Sequence, residues 1–505
     1  MPKWTVRTSV GHLANVRSGP DTNGLPMLDL QPQHAVAQNY DELYGTDGTP
    51  RPHYESFAQT FGRLGRDEIL TRVKAINTTL LQRGVTFTVY SDARGTERVF
   101  PFDPIPRILT AQEWGAIERG IEQRVRALNA FLYDIYHAER ILRERVVPRA
   151  LVYSSRNYNR EMIDVDVPRD VYVHVSGIDL IRDERGEFLV LEDNCRTPSG
   201  ISYVLENRDV LKRGFPALFA DYAVSPVDDY PSRLLDVLRY VAPRENAQPN
   251  VVVLTPGIYN SAYFEHTLLA RRMGIELVEG RDLIVVDNVV YVKTTRGLQR
   301  VDVIYRRIDD DYLDPLYFVP DSALGVTGLM NAYRAGNVTI ANAIGTGVAD
   351  DKAVYRFVPD MIRFYLAEEP LLNNVPTFDC TDSAQLQHVL THLHELVVKN
   401  TNASGGYGML MGPYAAAEER ERFKASIAAN PRDYIAQPIV QLSSSPTLVE
   451  GSMVARRVDL RPFALYGREV DVPPAALTRV ALREGSLVVN SSQGGGSKDT
   501  WVLQA

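Results

Sequence analysis

The chain has 505 residues, of which 45% are hydrophobic and 23% charged, and its formal net charge is −8. This length exceeds what one hydrophobic core can hold and predicts two to four domains, while the acidic balance argues against a general nucleic-acid-binding protein. Two cysteines cannot form a disulfide framework, and the sequence has neither a signal-peptide pattern nor a membrane-length apolar run, so we expect a cytoplasmic protein.

The first elements in chain order are expected to have a structural role. Residues 1–52 are rich in turn-forming residues and predict irregular structure. A helical spacing and a short strand follow, so residues 1–90 are expected to form an N-terminal irregular and helical extension. The longest helical pattern covers residues 111–146, with apolar residues at three- and four-residue spacing. Arg124 and Asn129 could line a site, but we expect them on a solvated face of that helix.

A charged hairpin pattern follows at residues 177–194. Folding it about its central Arg-Gly turn puts Asp179 opposite Glu192, and two facing carboxylates destabilise a strand pair. Glu192 and Asn194 are two positions apart, so they share one face of the strand. A divalent cation would remove the repulsion, and carboxylate and amide oxygens suit Mg²⁺. The alternative is a surface hairpin whose acidic side chains are merely solvated.

The sequence after residue 242 has the pattern of an α/β layer. The polar segment 242–250 is the best domain boundary, and a buried strand, a glycine loop and a helix follow it. Tyr259 and Asn260 lie in that loop, at the carboxyl end of the strand, where open α/β sheets bind ligands. A structural role such as helix capping has at least equal weight for them. Another strand ends in Arg306 and Arg307, which suit a carboxylate or phosphate ligand as well as the neighbouring aspartates.

Two of the eight lysines in the chain stand beside glycine-rich turns. Lys352 begins a predicted helix, and Lys399 ends a β-run that precedes Gly405, Gly406 and Gly408. Successive amides in such a loop can cradle phosphate oxygens, and lysines supply positive charge to the same anion. A flexible hairpin would show the same glycines, but the two lysines favour a nucleotide-phosphate site.

Taken together, these motifs resemble the circularly permuted ATP-grasp family, which is similar to glutathionylspermidine synthetase in architecture. In ordinary ATP-grasp ligases the metal hairpin comes last, whereas here it precedes residue 200 and the other motifs follow residue 250 in their usual order. The resemblance covers about residues 90–505 and implies an α/β (α+β) fold with a permuted ATP-grasp arrangement. The implied portions are the extension 1–90, a catalytic portion with the metal hairpin at 91–245, an α/β pre-ATP-grasp domain at 246–345, and a nucleotide-binding portion with the glycine lid at 346–505.

The resemblance also implies functions for individual residues. Gln437 matches the hinge that borders adenine, and Arg461 matches an Asp-x-Arg strand whose arginine meets the phosphates. The candidate catalytic residues are Arg461 and Arg196, and the candidate metal ligands are Asp179, Glu192 and Asn194. The candidate nucleotide contacts are Lys352, Lys399, Gly405, Gly406, Gly408 and Gln437. The candidate substrate contacts are Tyr259, Asn260, Arg306, Arg307 and Asn490, the last from an Asn…Gly-Gly segment.

The function that the resemblance implies is that of an ATP- and Mg²⁺-dependent carboxylate–amine ligase acting through an acyl phosphate on an amino acid, peptide or similar small carboxylate. Its expected partners are small-molecule acid and amine substrates, without nucleic acid or membrane. The identity of both substrates and the oligomeric state stay open. The alternatives are an ATP-dependent phosphotransferase on the same scaffold and an ATP-binding protein without turnover.

Overall fold

The computed structural model describes residues 39–88, 97–244, 248–402, 408–486, 489 and 495–505. The α-helices in these ranges are α1 (Glu55–Gly62), α2 (Arg66–Gln82), α3 (Ala111–Tyr136), α4 (Arg140–Arg143), α5 (Arg149–Tyr153), α6 (Ile201–Gly214), α7 (Tyr230–Tyr240), α8 (Tyr263–Met273), α9 (Leu329–Arg334), α10 (Gly347–Asp350), α11 (Lys352–Tyr355), α12 (Val358–Leu366), α13 (Ser383–Thr391) and α14 (Ala417–Ala429).

The strands in the same ranges are β1 (Thr86–Thr88), β2 (Glu97–Val99), β3 (Phe102–Leu109), β4 (Val175–Arg182), β5 (Phe188–Asn194), β6 (Val251–Leu254), β7 (Glu276–Val278), β8 (Leu283–Val286), β9 (Val289–Thr294), β10 (Gly297–Arg300), β11 (Val303–Arg306), β12 (Thr339–Ala341), β13 (Asn373–Asn374), β14 (Phe378–Asp379), β15 (Leu396–Asn400), β16 (Leu410–Met411), β17 (Tyr434–Pro438), β18 (Ser444–Val449), β19 (Ser452–Tyr466), β20 (Val470–Asp471), β21 (Ala476–Val480) and β22 (Gly496–Val502).

The largest sheet joins two distant parts of the chain. Its main strand order is β13-β5-β4-β19-β21-β22-β3, so three strands from before residue 200 share one sheet with strands from after residue 370. β4 pairs antiparallel with β19, with Leu180 opposite Leu460, and β22 pairs parallel with β3. β3, β4 and β22 are buried along their whole length. The metal hairpin of the sequence therefore lies in one sheet with the strands that follow residue 450, as the predicted permutation requires.

Two further sheets carry the remaining parts of the predicted site. A parallel sheet of order β12-β11-β6-β7 forms the predicted α/β layer, so the carboxyl ends of its strands share one edge. An antiparallel sheet of order β14-β17-β15-β16 carries Lys399 near the end of β15. The smaller sheets are β10-β9-β8 and β1-β2. This mixture of parallel and antiparallel sheets with helices confirms the predicted fold class.

The long helix α3 differs from its prediction in two ways. It begins at Ala111 as predicted, after a Thr110–Glu113 capping box, but it ends at Tyr136, where the Asp134 carboxylate accepts the backbone N–H groups of the next short helix at 2.8 Å. Arg124 and Asn129, which we expected on a solvated face, are buried. Arg124 makes a two-pronged ion pair with Asp193 of β5, at 2.6 and 2.7 Å, and this pair fixes the metal hairpin to α3.

The described part of the N-terminal extension packs into the main core. The predicted helical stretch is two helices, α1 and α2, and the Phe57 ring of α1 meets the Trp501 ring of β22 edge-on with centroids 6.4 Å apart. The buried Glu42 carboxylate pairs with Arg107 of β3 and Arg182 of β4. Residues 1–38 lie outside the described ranges, so the extension as a whole stays a prediction, as do the three boundaries between the four predicted domains.

Candidate functional site

The β4–β5 hairpin has the register that the sequence predicts. Asp179 is paired with Glu192 across the two strands, and a register shift follows immediately, so that Leu180 pairs with Val190. Two N–H groups of the turn donate to the carboxylate of Asp183 at 2.9 Å, which shapes the hairpin end. The two acids predicted to face one another therefore do so.

Asp179 is buried, and two arginines hold it. The Arg461 guanidinium contacts both of its oxygens, at 2.5 and 2.8 Å, and Arg479 donates to Oδ2 at 2.7 Å. Burial raises the pKa of Asp179, but the two guanidiniums outweigh burial and hold that pKa well below its usual range. Arg479 also forms a fork with Asp459, at 2.5–3.1 Å. We call Asp179, Asp459, Arg461 and Arg479 the arginine cluster.

The shape of β4 lets Arg461 reach this position. A Cβ atom on Gly177 would lie 3.3 Å from both the Arg461 Cδ and the Pro198 Cβ, closer than most side chains tolerate. The glycine therefore keeps room for the arginine. Arg461 NH1 also donates to the Ser199 carbonyl at 3.2 Å, so the loop after the hairpin is bound to the same guanidinium.

One of the two predicted lysines contacts Glu192, and the other lies within electrostatic range of it. The Nζ of Lys352 is 3.3 Å from Glu192 Oε2, and Lys399 lies close enough for the charges of Glu192, Lys352 and Asp179 to act on it. Burial lowers the pKa of Lys399 to about 8, against the opposing effect of Glu192. We call Glu192, Lys352 and Lys399 the lysine cluster. Residues separated by up to 207 positions (399 − 192) thus meet at one site.

The backbone around Lys352 is fixed by its neighbours. Asp351 caps α11 by accepting the Ala353 N–H at 3.0 Å, and Arg432 binds its other oxygen at 2.6 Å. The Lys352 N–H donates to the Thr401 carbonyl at 3.2 Å, two residues beyond Lys399. A backbone hydrogen bond therefore joins the two lysine-bearing elements directly.

Arg196 lies in the loop after β5 between two carboxylates. Its Nε is 3.5 Å from Asp309 and 3.8 Å from Asp350. Asp350 also accepts the Cys195 N–H at 2.5 Å. Burial raises the pKa of Asp350 to about 7, although the Arg196 guanidinium opposes the rise. These contacts tie the end of the metal hairpin to α10, one residue before the cap of the Lys352 helix.

Asn342 is a positioning residue that the sequence analysis did not identify. Its buried side chain accepts the N–H groups of His174 and Val175 at 2.7 and 2.8 Å, and it donates to the carbonyls of Val175 and Cys195 at 2.6 and 2.8 Å. It therefore joins the beginning and the end of the hairpin to the C-terminal end of β12. Only its place at the carboxyl end of a short buried strand could have suggested it.

The remaining nucleotide candidates are partly outside the described residues. Gly408 has a φ of +68°, a left-handed conformation that favours glycine, while Gly405 and Gly406 lie outside the described ranges. The buried Gln437 donates from Nε2 to the Thr377 hydroxyl at 2.9 Å and pairs with Val397 of β15. It therefore lies in the same sheet as Lys399. Its contact with adenine stays a prediction.

The substrate candidates fall into two groups. Arg306 and Arg307 are buried and bound to protein acceptors. Arg306 pairs with Asp310 at 2.6 Å, and Arg307 pairs with Glu265 at 3.0 Å and donates to the Pro198 carbonyl at 2.7 Å. For Arg306 the observed contact is therefore the alternative given above, a salt bridge with a neighbouring aspartate.

The candidates in the loop after β6 differ from the two buried arginines. Tyr259 is 89% exposed, and the Asn260 Oδ1 accepts the Ala262 N–H at 2.9 Å, which is a turn contact in the loop before α8 and not a helix cap. Asn490 lies outside the described ranges. Substrate contact by any of these residues stays a prediction.

The predicted Mg²⁺ ligands fit the ion in part. The Asn194 Nδ2 donates to the Gly177 carbonyl at 3.1 Å, which leaves its oxygen as an acceptor beside Glu192. Both oxygens of Asp179 accept hydrogen bonds from Arg461, so Asp179 has fewer lone pairs left for a metal than a carboxylate without such partners. Among the described residues no group of three or more His, Cys, Asp or Glu side chains is arranged around a metal position. The predicted set contains only two such residues and an amide.

Comparison with known proteins decides the family. The model of circularly permuted ATP-grasp type 2 proteins matches residues 106–481, which is most of the chain and includes both clusters. The chain belongs to this family. An uncharacterized protein of Synechocystis is 55% identical to this circularly permuted ATP-grasp chain over 92% of the chain and 97% of its own length. An uncharacterized protein of Mycobacterium tuberculosis is 53% identical over 92% of the chain and 84% of its own length.

Two further similarities bear on the ATP-grasp assignment. A protein of Frankia casuarinae, provisionally named glutamate–cysteine ligase 2-2, is 44% identical over 92% of this chain but only 53% of its own length. The solved structure of a glutathione synthetase-like effector from Globodera pallida superposes with a TM-score of 0.58. It covers 87% of this chain and 98% of the effector at 11% identity, so this likeness shows the fold alone. Among the helices of the described residues, none combines the length and apolar character needed to cross a bilayer.

Proposed function

We propose that this circularly permuted ATP-grasp protein is an ATP- and Mg²⁺-dependent carboxylate–amine ligase. The observation that carries the proposal is the convergence of Glu192, Lys352 and Lys399 beside the Asp179–Arg461 pair. Family membership and the ligase name of the Frankia relatives support a function of this kind. The substrate would be an amino acid, a peptide or a similar small carboxylate.

The lysine cluster would bind the nucleotide phosphates. Lys352 and Lys399 supply two cationic groups from two separately anchored elements, so their positions are set before a phosphate arrives. Transfer of a phosphoryl group depends mainly on positioning and on neutralising charge. The half-buried Lys399 contributes more in this place than an exposed lysine would, because its charge is less screened by water.

The arginines would act at the transferred group. In the proposed reaction the substrate carboxylate attacks the γ-phosphorus, the bond to the β–γ bridging oxygen breaks, and ADP leaves an acyl phosphate behind. The amine then attacks the acyl carbon and inorganic phosphate departs, with the amine losing a proton. Arg461 binds Asp179 of the hairpin, and Arg196 lies in the loop just after β5, so both could bind the oxygens that change partners.

Magnesium would neutralise and orient the phosphate oxygens when it is bound with the nucleotide. Glu192 and Asn194 are the residues of this chain that would hold it, through a carboxylate and an amide oxygen. Asp179 would contribute either directly, after release from Arg461, or by fixing the position of Arg461.

The direct test is formation of ADP and a trapped product. The protein is incubated with ATP, Mg²⁺ and a panel of amino acids and small carboxylic acids, with hydroxylamine as the nucleophile. A ligase that makes an acyl phosphate yields ADP and a hydroxamate, which mass spectrometry identifies. ADP without a hydroxamate, with a phosphorylated acceptor instead, would show the phosphotransferase alternative. ATP binding without ADP release across the panel would contradict the proposal.

A matched pair of variants connects this activity to the site. Glu192→Gln removes the charge that the two lysines and a magnesium ion would share, and the rate should fall by at least about 100-fold. Glu187→Gln changes an exposed glutamate in the turn of the same hairpin and should leave the rate unchanged. Equal rates in the wild-type protein and the Glu192→Gln variant would remove Glu192 from the site.

A further inference from the structure

A cavity of about 560 Å³ lies between the end of α2, the middle of α6 and the end of α8. Its lining includes none of the residues of the arginine or lysine clusters. The volume is within the range of small-molecule sites. Four arginines and three acids line it, together with the half-buried ring of Phe264: the charged residues are Arg83, Arg213, Arg271, Arg272, Glu206, Asp209 and Asp228.

Two of the acids are already neutralised by the wall itself. Arg83 reaches from the end of α2 and donates to Glu206 at 2.8 Å and to Asp209 at 2.5 Å. Arg272 approaches Glu206 at 3.8 Å, and Arg213 pairs with Asp209 at 3.1 Å. These pairs join α2, α6 and α8 into one charged wall. A guanidinium has five donors, so the paired arginines keep N–H groups for another acceptor.

Two charged side chains on the cavity differ from the others. Arg271 of α8 and Asp228, just before α7, are both exposed, and neither has an ion pair or side-chain hydrogen bond with another residue of the described ranges. The lining therefore contains two guanidiniums from consecutive positions of α8, Arg271 and Arg272, and one carboxylate that the wall does not use. Such an arrangement complements a molecule with an anionic end and a cationic end.

We propose that this cavity is a binding site for a small zwitterionic carboxylate, such as an amino acid, distinct from the site at Glu192. The carboxylate of the ligand binds Arg271 and Arg272, its ammonium group faces Asp228, and its carbon chain lies against Phe264. The binding proposal does not depend on the proposed ligase reaction, since it rests only on the side chains of this cavity.

The walls of the cavity are joined to the candidate catalytic loop. Glu265 of α8 accepts the N–H groups of Gly200 and Ser202, at 2.7 and 3.1 Å, where α6 begins. Ser199, one residue earlier, accepts from Arg461. At about 1.5 Å per residue, Glu206 is roughly 9 Å along the helix from that start. Glu265 and the start of α6 therefore link the walls of the cavity to the loop that binds Arg461.

The test is isothermal titration of the full chain without nucleotide, using L-glutamate, glutarate and inorganic phosphate as probes. L-glutamate should bind with saturation, and the Arg271→Ala/Arg272→Ala variant should bind it at least about tenfold more weakly, because a charge-assisted hydrogen bond is lost at each arginine. Arg296→Ala, an exposed arginine in the β9–β10 turn, is the matched control and should bind like the wild-type protein. Asp228→Asn should weaken L-glutamate but not glutarate, because glutarate has no ammonium group.

Several results would overturn the proposal. One is the absence of L-glutamate binding, and another is equal binding by the double variant and the wild-type protein, which would place the ligand at another site. Binding of phosphate alone would identify a simple anion site instead. Both arginines are exposed, so the double variant should keep the wild-type melting temperature. If its melting temperature is lower, the single Arg271→Ala variant replaces it in the titration. A failed hydroxamate assay together with saturable, arginine-dependent L-glutamate binding would separate the two proposals.

Discussion

The arginine cluster and the lysine cluster lie on the two sides of the Asp179–Glu192 pair, yet they are built differently. In the arginine cluster both carboxylates are buried and both are bound by guanidinium forks. In the lysine cluster one partly exposed carboxylate faces two lysines, and its contact with Lys352 is 3.3 Å long. In the arginine cluster the acids and guanidiniums satisfy one another, so this buried network holds its own geometry. In the lysine cluster two positive charges face one negative charge, so the lysines can bind a further anion. The difference predicts that the buried Asp459–Arg479 pair supports the site, that the partly exposed Arg461 can reach the transferred group, and that the lysine cluster binds the nucleotide phosphates.

The largest expected effect is a loss of stability, and it tests the supporting role of Arg479. Arg479→Ala leaves Asp179 and Asp459 buried with one partner fewer each, which should lower the free energy of unfolding by about 3–5 kcal/mol. Urea-induced unfolding, followed by circular dichroism, measures this loss. Arg461→Ala is the matched control, because Asp179 then keeps Arg479 and water can reach the partly exposed position, so its loss should be smaller. A larger loss for Arg461→Ala would reverse the assignment of support within the cluster.

The next effect concerns the ligand-binding side. Lys399→Met removes a charge of the lysine cluster but keeps the length of the apolar stem, so stability should be preserved while Mg²⁺–ATP binds about 10–100-fold more weakly. Calorimetric titration of ATP in the presence of Mg²⁺ measures the dissociation constant. Lys293→Met changes an exposed lysine on β9 and serves as the control. Unchanged affinity in the Lys399 variant would separate the lysine cluster from the nucleotide.

The smallest expected effect is a pH dependence of the affinity for Mg²⁺–ATP, and it tests the ligand-binding role of the lysine cluster. Lys399 has a pKa of about 8 because burial disfavours its charged form, so it is mostly protonated at pH 7 and mostly neutral at pH 9. Phosphate binding needs the charged form, and affinity for Mg²⁺–ATP should therefore fall by up to about tenfold between these pH values. Lys399→Arg keeps its charge throughout and should lose most of this dependence. A wild-type affinity that is the same at pH 7 and pH 9 would contradict the prediction.

Features that depend on local spacing were predictable. The pairing of Asp179 with Glu192 follows from the turn position and the two-residue period of a strand, and it is observed. The permuted order was also predictable, because each motif keeps its own short pattern wherever it stands in the chain. The family assignment confirms this prediction. The length of α3 was predicted wrongly because apolar spacing continues beyond Tyr136, while the Asp134 side chain ends the helix.

The sequence by itself determined that this protein has a hairpin with opposed acids, two lysines beside glycine turns and the order of a permuted ATP-grasp chain. Only the tertiary structure decided which charged and polar side chains pair with one another. Asp179 meets Arg479 from 300 residues away, Asn342 joins both ends of the hairpin, and Arg306 and Arg307 are bound by buried protein acceptors. The physical reason is that side-chain pairing depends on distances across packed strands and helices, which short sequence patterns do not encode.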